Sequence, residues 1–376
     1  METVVEVLES LSTIAEGEWE ALTEGNPFVS YRFLDALHTS GCASNRTGWS
    51  PRYLVLRRQG KLAGAMLLYA KSHSRGEYVF DHAWAHAYER HGLEYYPKLV
   101  SAVPFTAVTG PRLLATNEAD KEILARAAIQ FAQEVGVSSL HILFPRAEDL
   151  EVVRRAGMML REGVQFHWLN RDYESFDQFL GSMAREKRKK VKQDRRRVAE
   201  AGVSFRIASG KDMTSEELDF FYVCYSATYE SHYSTPYLTR EFFAQIQASI
   251  GENLLFIFAE QAGEPIAAAL NFVGPDAMYG RYWGTTKFVS GLHFELCYMQ
   301  AIAYCIDASI RAFEGGAQGE HKLARGLEPT PTWSAHWVAD RRFEHAIQEF
   351  LNQETGQMSE YIDELADRAP FKRAAK

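Results

Sequence analysis

Hydrophobic and polar positions along the 376-residue chain fall into two matching series of strand and helix signals. In residues 53–69, YLVLRRQGKLAGAMLLY, two apolar stretches flank Gln59-Gly60-Lys61, which predicts a β-hairpin. Residues 255–271, LFIFAEQAGEPIAAALN, keep the same order of strand, polar-glycine-charged turn and small-residue strand. The segments QGKLAGAML and AGEPIAAAL differ by one inserted residue. Each hairpin is followed by a further strand, a helix (120–135 and 294–311) and another strand (139–144 and 311–317). The pattern therefore predicts an internal duplication of a β-β-β-α-β unit; its alternative is two unrelated α/β domains that share a hairpin by chance. Outside the repeat, 4–8 reads as a strand, 16–22 as a short helix, and Asn26-Pro27 as a turn opening a helix through His38.

The stretch 279–327 is explained least well by packing alone. It opens as a strand in which Tyr279, Arg281 and Trp283 alternate with Gly280, Tyr282 and Gly284, the glycines permitting close backbone approach. A helix over 294–313 follows, with Leu296, Met299, Ile302, Ala303, Ile306 and Ile310 on one face. The chain then turns through Gly315, Gly316 and Gly319 into Glu320-His321-Lys322 and Arg325. This order brings Arg281, His293, Glu295, Glu320, His321, Lys322 and Arg325 within reach of one cleft. The first half instead carries an insertion, 76–105, crowded with Asp81, His82, His86, Tyr88, His91, Tyr95 and Tyr96, which reads as a loop lining a cleft.

Composition narrows the class: 46% hydrophobic and 24% charged residues describe a soluble globular chain with core enough for two domains. A net charge of −8 argues against general nucleic-acid coating. The balance is uneven, because 185–197 (REKRKKVKQDRRR) carries a local +7 and leaves −15 on the rest. Nine cations (Arg185, Lys187, Arg188, Lys189, Lys190, Lys192, Arg195, Arg196 and Arg197) against Glu186 and Asp194 favour an anionic, phosphate-bearing partner over a merely solvated helix. Cys42, Cys224, Cys297 and Cys305 lie in no C-x-x-C spacing, which fits a reducing, cytoplasmic compartment. No apolar run reaches membrane-span length, and residues 1–10 lack the pattern of a signal peptide.

Several motifs carry a resemblance. The segment L-x-S-M-x-R-x-x-R-K-K-V-K continuing to A-x-A-G-V, Leu180 to Val203, is similar to the segment joining the halves of Fem-type aminoacyltransferases. Thr109-Gly110-Pro111-Arg112 resembles the Gly-Pro turn of their first domain. Phe313-Glu-Gly-Gly with His321-Lys322-x-x-Arg325-Gly326-Leu327 resembles their Gly-Gly strand and Lys-x-x-Gly-Phe segment. LHFELCYMQAI, GAQGEHKLARGLEP and SAHW (Ser334 to Trp337) resemble the bacterial FemAB-like, or peptidoglycan biosynthesis/recognition, family of N-acyltransferases, from Asn26-Pro27-Phe28 to the C-terminal helix. The resemblance implies an α/β (α+β) fold: a tandem duplication of the GCN5-related acetyltransferase (GNAT) fold with two mixed sheets flanked by helices. The expected limits are 1–172 and 173–376, the second domain beginning with a basic helix over 176–201. It also implies acyl transfer onto an amine, with no tightly bound cofactor and aminoacyl-tRNA or acyl-CoA as donor. The pyrophosphate loop of acetyl-CoA enzymes is absent. Thr285-Thr-Lys-Phe-Val-Ser-Gly-Leu-His293 stands in one half, and Gly110-Pro111-Arg112-Leu113, where the proline lacks a donor, in the other. That departure favours aminoacyl-tRNA, bound by the basic helix.

Acyl transfer needs a neutral amine, a proton acceptor and stabilisation of an oxyanion. Glu295, Glu320 and His321 are the catalytic candidates, although Glu295 at a helix start and His321 on a loop could equally serve structure. Arg281, Lys322 and Arg325 are candidates for binding a phosphate or carboxylate of the acceptor, with Trp283 and His293 beside them. Asp81, His82 and His86 read as cleft lining rather than metal ligands, since no H-E-x-x-H pattern is present. Trp333, His336 and Trp337 are expected to wall the same cleft, or the tryptophans to be core. The sequence thus predicts an N-acyltransferase acting on an anionic acceptor such as a peptidoglycan precursor. The alternatives are an acyl-CoA-dependent GNAT enzyme acting on a small molecule, and a non-catalytic module recognising cell-wall peptide or nucleic acid.

Overall fold

The computed structural model describes residues 3–316 and 319–372. The chain divides into two compact units: Met1–Val164 with Pro331–Glu360, and Gln165–Thr330 with Tyr361–Lys376. A single cut at 172/173 does not describe this division, because each unit is completed by a later part of the chain. Ser334 to Val338 pair antiparallel with Ser139–Leu143 inside unit 1, a pairing across almost 200 residues that no local pattern announces.

In unit 1, Thr3–Leu8, Tyr53–Arg58, Lys61–Met66 and Leu113–Ala115 form one antiparallel sheet in that order. Trp49–Pro51, Tyr69–Lys71, Lys98–Ser101 and Ser139–Leu143 form a mixed set, the last two parallel, which the Ser334 to Val338 segment extends. The helix Glu118–Glu134 starts where the Asn117 side chain accepts from the Asp120 N–H, two residues before the expected start. It buries Leu124, Ala125, Ala128 and Ala132 against Leu54, Leu56 and Met66.

Unit 2 orders its strands Val203–Ser209, Leu254–Gln261, Glu264–Val273, Ala277–Thr285 and Ala312–Glu314, the last pair parallel. His167 to Leu169 then pair antiparallel with Ala312–Glu314. The expected strand over 311–317 is thus present as three residues, and Ala317 lies outside the described residues.

The two hairpins share their turn geometry. Gln59 and Gly60 have φ of 51° and 79°, Ala262 and Gly263 φ of 55° and 84°, so both loops are two residues in left-handed backbone, the geometry that matches strand twist. Each hairpin also carries a register shift just before its turn, at Leu56/Arg57 and at Ala259/Glu260. The duplication therefore extends to the bulge.

Two predicted helices are interrupted. The basic segment forms Phe176–Ser182 and Arg185–Glu200, separated where Met183 is extended at ψ 150°. The helix expected over 294–313 runs as Leu292–Phe294, a π turn Glu295–Met299 and Gln300–Asp307, and Ile310 falls beyond it. Gly284 shows why a strand glycine stands there. A Cβ at that position would lie 1.8 Å from the Cys224 carbonyl oxygen, where the helix Ser215–Ser231 packs on the strand.

Candidate functional site

Unit 2 contains a small cavity of about 70 Å³ lined by Asn271, Arg281, Tyr282, Trp283, His293, Cys297 and Tyr298, with Gly280 and Gly315 at its edges. The strand Ala277–Thr285 supplies Arg281 and Trp283, and the π turn supplies Cys297 and Tyr298. The widened turn has a local consequence. In a plain α-helix residues five apart diverge, whereas here the rings of His293 and Tyr298 stand 5.5 Å apart. His293 stacks on Trp283 with centroids 4.4 Å apart. Burial, then His321, Lys322 and Arg325, bring its pKa down to about 4, so its ring is neutral at pH 7.

The glycine-rich segment forms a short helical turn, Glu320–Arg325, between Gly319 and Gly326, both at positive φ. Lys322 points inward, is 3% exposed, and donates from Nζ to the Gly316 carbonyl at 2.8 Å. Burial, and secondly the Arg281 guanidinium, bring its pKa down to about 8. Arg281 is itself buried and pairs with Glu314 at 3.3 Å. His321 faces outward with Nε2 3.5 Å from the Tyr298 hydroxyl. Burial and the neighbouring Lys322 and Arg325 lower its pKa, leaving the ring uncharged at pH 7.

The remaining charged candidates of unit 2 surround the cavity without lining it. Arg325 pairs with Asp194 at 3.3 Å and lies 3.8 Å over the Phe294 ring. Glu295 accepts from Arg195 at 3.1 Å and from Gln300 at 2.7 Å through one oxygen, while its other oxygen is buried without a hydrogen-bond partner among the described residues. Burial raises its pKa against the pull of Arg195. Glu320 turns to solvent and pairs with Tyr361 and Arg368. The helix Arg185–Glu200 thus contributes directly: its inner residues Asp194 and Arg195 hold Arg325 and Glu295. Its outer cations divide. Lys190, Arg196 and Arg197 have acidic neighbours on the helix. Among the described residues, Arg185, Lys187, Arg188, Lys189 and Lys192 make no ion pair, and all but Arg188 are exposed.

Asp81, His82, His86 and His336 belong to unit 1. His336 is 1% exposed and its Nδ1 meets His141 Nδ1 at 2.7 Å, while Ser334 bonds its Nε2 at 2.7 Å. Asp81 also faces the interior. It receives hydrogen bonds from Lys98 at 2.5 Å, Tyr95 at 2.6 Å and Ser74 at 2.7 Å. Burial opposes its ionisation, but the Lys98 ammonium and these donors hold its carboxyl well below the usual range. His82 and His86 do share one face of a helix, His82–Arg90, and line a surface hollow with Glu89, Leu93, Tyr95 and Tyr96. Trp337 packs against the unit 1 core. No three His, Cys, Asp or Glu side chains among the described residues stand together as a metal would require. Arg112 spends its guanidinium on the carbonyls of Leu143, Val108 and Pro111.

Sequence reasoning missed Asn271, Tyr298, Cys297 and Glu314. Asn271 had a signal: it is the lone polar residue within the apolar run PIAAALNFV, and it is 2% exposed. Glu314 becomes visible only through its pairing with Arg281, and Tyr298 only through the π turn.

No curated protein matches the sequence. Among solved structures, FemX is 12% identical with a TM-score of 0.56, covering 93% of this chain and 100% of its own. The C-terminal domain of a putative lysylphosphatidylglycerol synthetase from Agrobacterium fabrum is 9% identical with a TM-score of 0.54, covering 90% and 95%. L-PGS from Bacillus licheniformis is 10% identical with a TM-score of 0.50, covering 83% and 92%. At such identities the likeness is one of fold, and it agrees with the tandem GNAT arrangement of the two duplicated units. The family model for FemAB-like proteins, described as peptidoglycan biosynthesis/recognition, matches residues 10–373, and the chain belongs to that family.

Proposed function

We propose that unit 2 transfers an aminoacyl or acyl group onto an amine of an anionic acceptor, such as a peptidoglycan precursor, at the cavity beside Lys322. Family membership supports transferase chemistry in a peptidoglycan-related process. One observation carries the finer reading: two buried cations, Lys322 and Arg281, stand next to a cavity walled by neutral imidazole and tyrosine. A low-dielectric position makes a fixed cation effective against a developing negative charge.

In this reading the acceptor amine attacks the acyl carbonyl of the donor. The C–N bond forms, the bond from that carbon to the leaving ribose oxygen or thiol sulfur breaks, and the leaving group departs with the electron pair. His321, neutral at pH 7, takes the amine proton, and Lys322 stabilises the oxyanion. Arg281 adds a second positive charge facing the oxyanion while burial, and secondly its repulsion, keep the Lys322 pKa low, Arg325 attracts acceptor phosphate, and Trp283 and His293 shape the pocket. Glu295 and Glu320 serve as structural partners of Arg195 and of Tyr361 and Arg368. The exposed cations Arg185, Lys187, Lys189 and Lys192 suit the phosphates of an aminoacyl-tRNA donor.

Thermal stabilisation tests the ligands directly, since a ligand bound to the native state raises the melting temperature by mass action. A shift with tRNA and with a UDP-linked muramyl peptide, and none with acetyl-CoA, is expected. A shift with acetyl-CoA alone would replace this reading by a CoA-dependent acetyltransferase.

A further inference from the structure

The chain leaves unit 2 after Thr330 and returns to it at Tyr361. The returning stretch is anchored in the unit 2 core through Leu365, which is fully buried, with Tyr361 and Phe371 packed beside it. From that anchor it reaches two elements of the candidate site. At one end Tyr361 donates to one oxygen of Glu320 at 2.6 Å, and Arg368 pairs with the other at 3.1 Å. Glu320 opens the turn that carries His321 and Lys322, and that turn hangs between two glycines whose φ of 114° and 94° leaves little restraint of its own. At the other end the Pro370 carbonyl accepts from the Ala184 N–H at 2.7 Å, and the Lys372 N–H donates to the Ser182 carbonyl at 3.0 Å. These bonds hold the break ahead of the helix Arg185–Glu200, which in turn supplies Asp194 to Arg325 and Arg195 to Glu295.

We propose that residues 361–372 form a strap that fixes the Lys322 turn and the basic helix in register, with Tyr361 and Arg368 as positioning residues acting through Glu320. The function of this strap rests on the transferase reading above, but its structural effect does not. Both oxygens of an exposed carboxylate are taken by two residues of one element, so the contact restrains rotation as well as position. Exposed ion pairs contribute little to global stability. The effect of cutting this one therefore falls on the turn.

The test uses the full chain and needs no substrate. Acetylation by acetic anhydride, followed by mass spectrometry, gives the rate at Lys322 relative to exposed Lys287. Amide exchange is followed over 319–326, with Leu254–Gln261 as internal reference. In the double variant Tyr361→Phe with Arg368→Ala, the Lys322/Lys287 ratio and exchange over 319–326 are each expected to rise about fivefold, with exchange of the reference strand unchanged. Arg368→Lys should restore most of the protection. Tyr361→Phe alone removes one hydrogen bond and keeps the test available if the double variant does not fold. An unchanged Lys322 ratio would overturn the strap, as would an equal rise of exchange in every strand. Loss of the strap with no transferase activity in the wild type would overturn only the functional reading.

Discussion

In the proposed reaction Lys322 is the oxyanion donor, and its charge is open to titration near neutral pH. Burial beside Arg281 brings it down to about 8, whereas an exposed lysine stays charged two units higher. A rate that depends on its ammonium should therefore fall as pH rises through about 8. Lys322→Arg, charged at all such values, should remove that fall, and Lys322→Ala should lower kcat/KM by roughly 10²–10³-fold, the usual effect of losing one oxyanion donor. A pH–rate profile of the three proteins checks this; an identical high-pH limb in Lys322→Arg would place the titrating group elsewhere. At this scale the sequence revealed residue types better than partnerships. Lys322, Arg281 and His293 could be singled out from glycine-rich and alternating patterns. That Glu314 neutralises Arg281, or that Asp194 holds Arg325, depends on strands and helices meeting across 33 and 131 residues.

At the level of elements the hairpins were legible because their signal is local: apolar stretches on both sides of a glycine turn. The π turn was not, since its apolar positions fit a plain helix nearly as well. The basic segment was legible as a helix, but its break at Met183 comes from hydrogen bonds to residues almost 190 positions later. The charge on this helix is divided by face. Asp194 and Arg195 face inward to the site, while Lys187, Lys189 and Lys192 face solvent. Replacing those three lysines by glutamate should leave the melting temperature within a few degrees and binding of the muramyl peptide unchanged. It should weaken tRNA binding at least about tenfold and flatten its salt dependence, because three phosphate contacts are lost. Filter binding across a salt series measures both. Unaltered tRNA affinity would mean that the helix is not the donor surface.

For the whole molecule, the discontinuous units were beyond sequence reading because completion of each depends on a segment from the far end of the chain. Unit 1 is closed by His336 meeting His141 in register, and this pair makes it sensitive to acid. Burial, then the Lys98 charge, hold His141 down to about 3, and burial with His141 pushes His336 lower than its ordinary value. With one Nδ1 facing the other at 2.7 Å, one ring donates and the other accepts, and a proton added to the accepting Nδ1 sets two N–H groups head to head. Unfolded, both rings titrate near 6.5, so the unfolded chain takes up protons that the native one refuses, and stability falls as pH drops from about 6.5 towards 3. Glu77 has the opposite sign. Burial raises it to about 7, so between about 4.5 and 7 the native state binds the extra proton and gains as pH falls. Below about 4.5 that offset ends, and the loss steepens. Amide exchange in Ser139–Leu143 should accordingly accelerate between pH 4.5 and 3 well before that in Leu254–Gln261; equal responses would show that the histidine pair does not govern unit 1.

In the proposed reaction the chain transfers an aminoacyl or acyl group to an amine on a peptidoglycan precursor. The most direct measurement incubates the protein with a UDP-linked muramyl peptide and aminoacyl-tRNA and follows the peptide by mass spectrometry. A mass gain of one aminoacyl residue on the peptide amine is expected, slowed roughly 10²-fold or more in His321→Ala. A peptide that binds and stabilises the protein yet never changes mass with any aminoacyl-tRNA or acyl-CoA supplied would contradict it, and would identify a recognition module in its place.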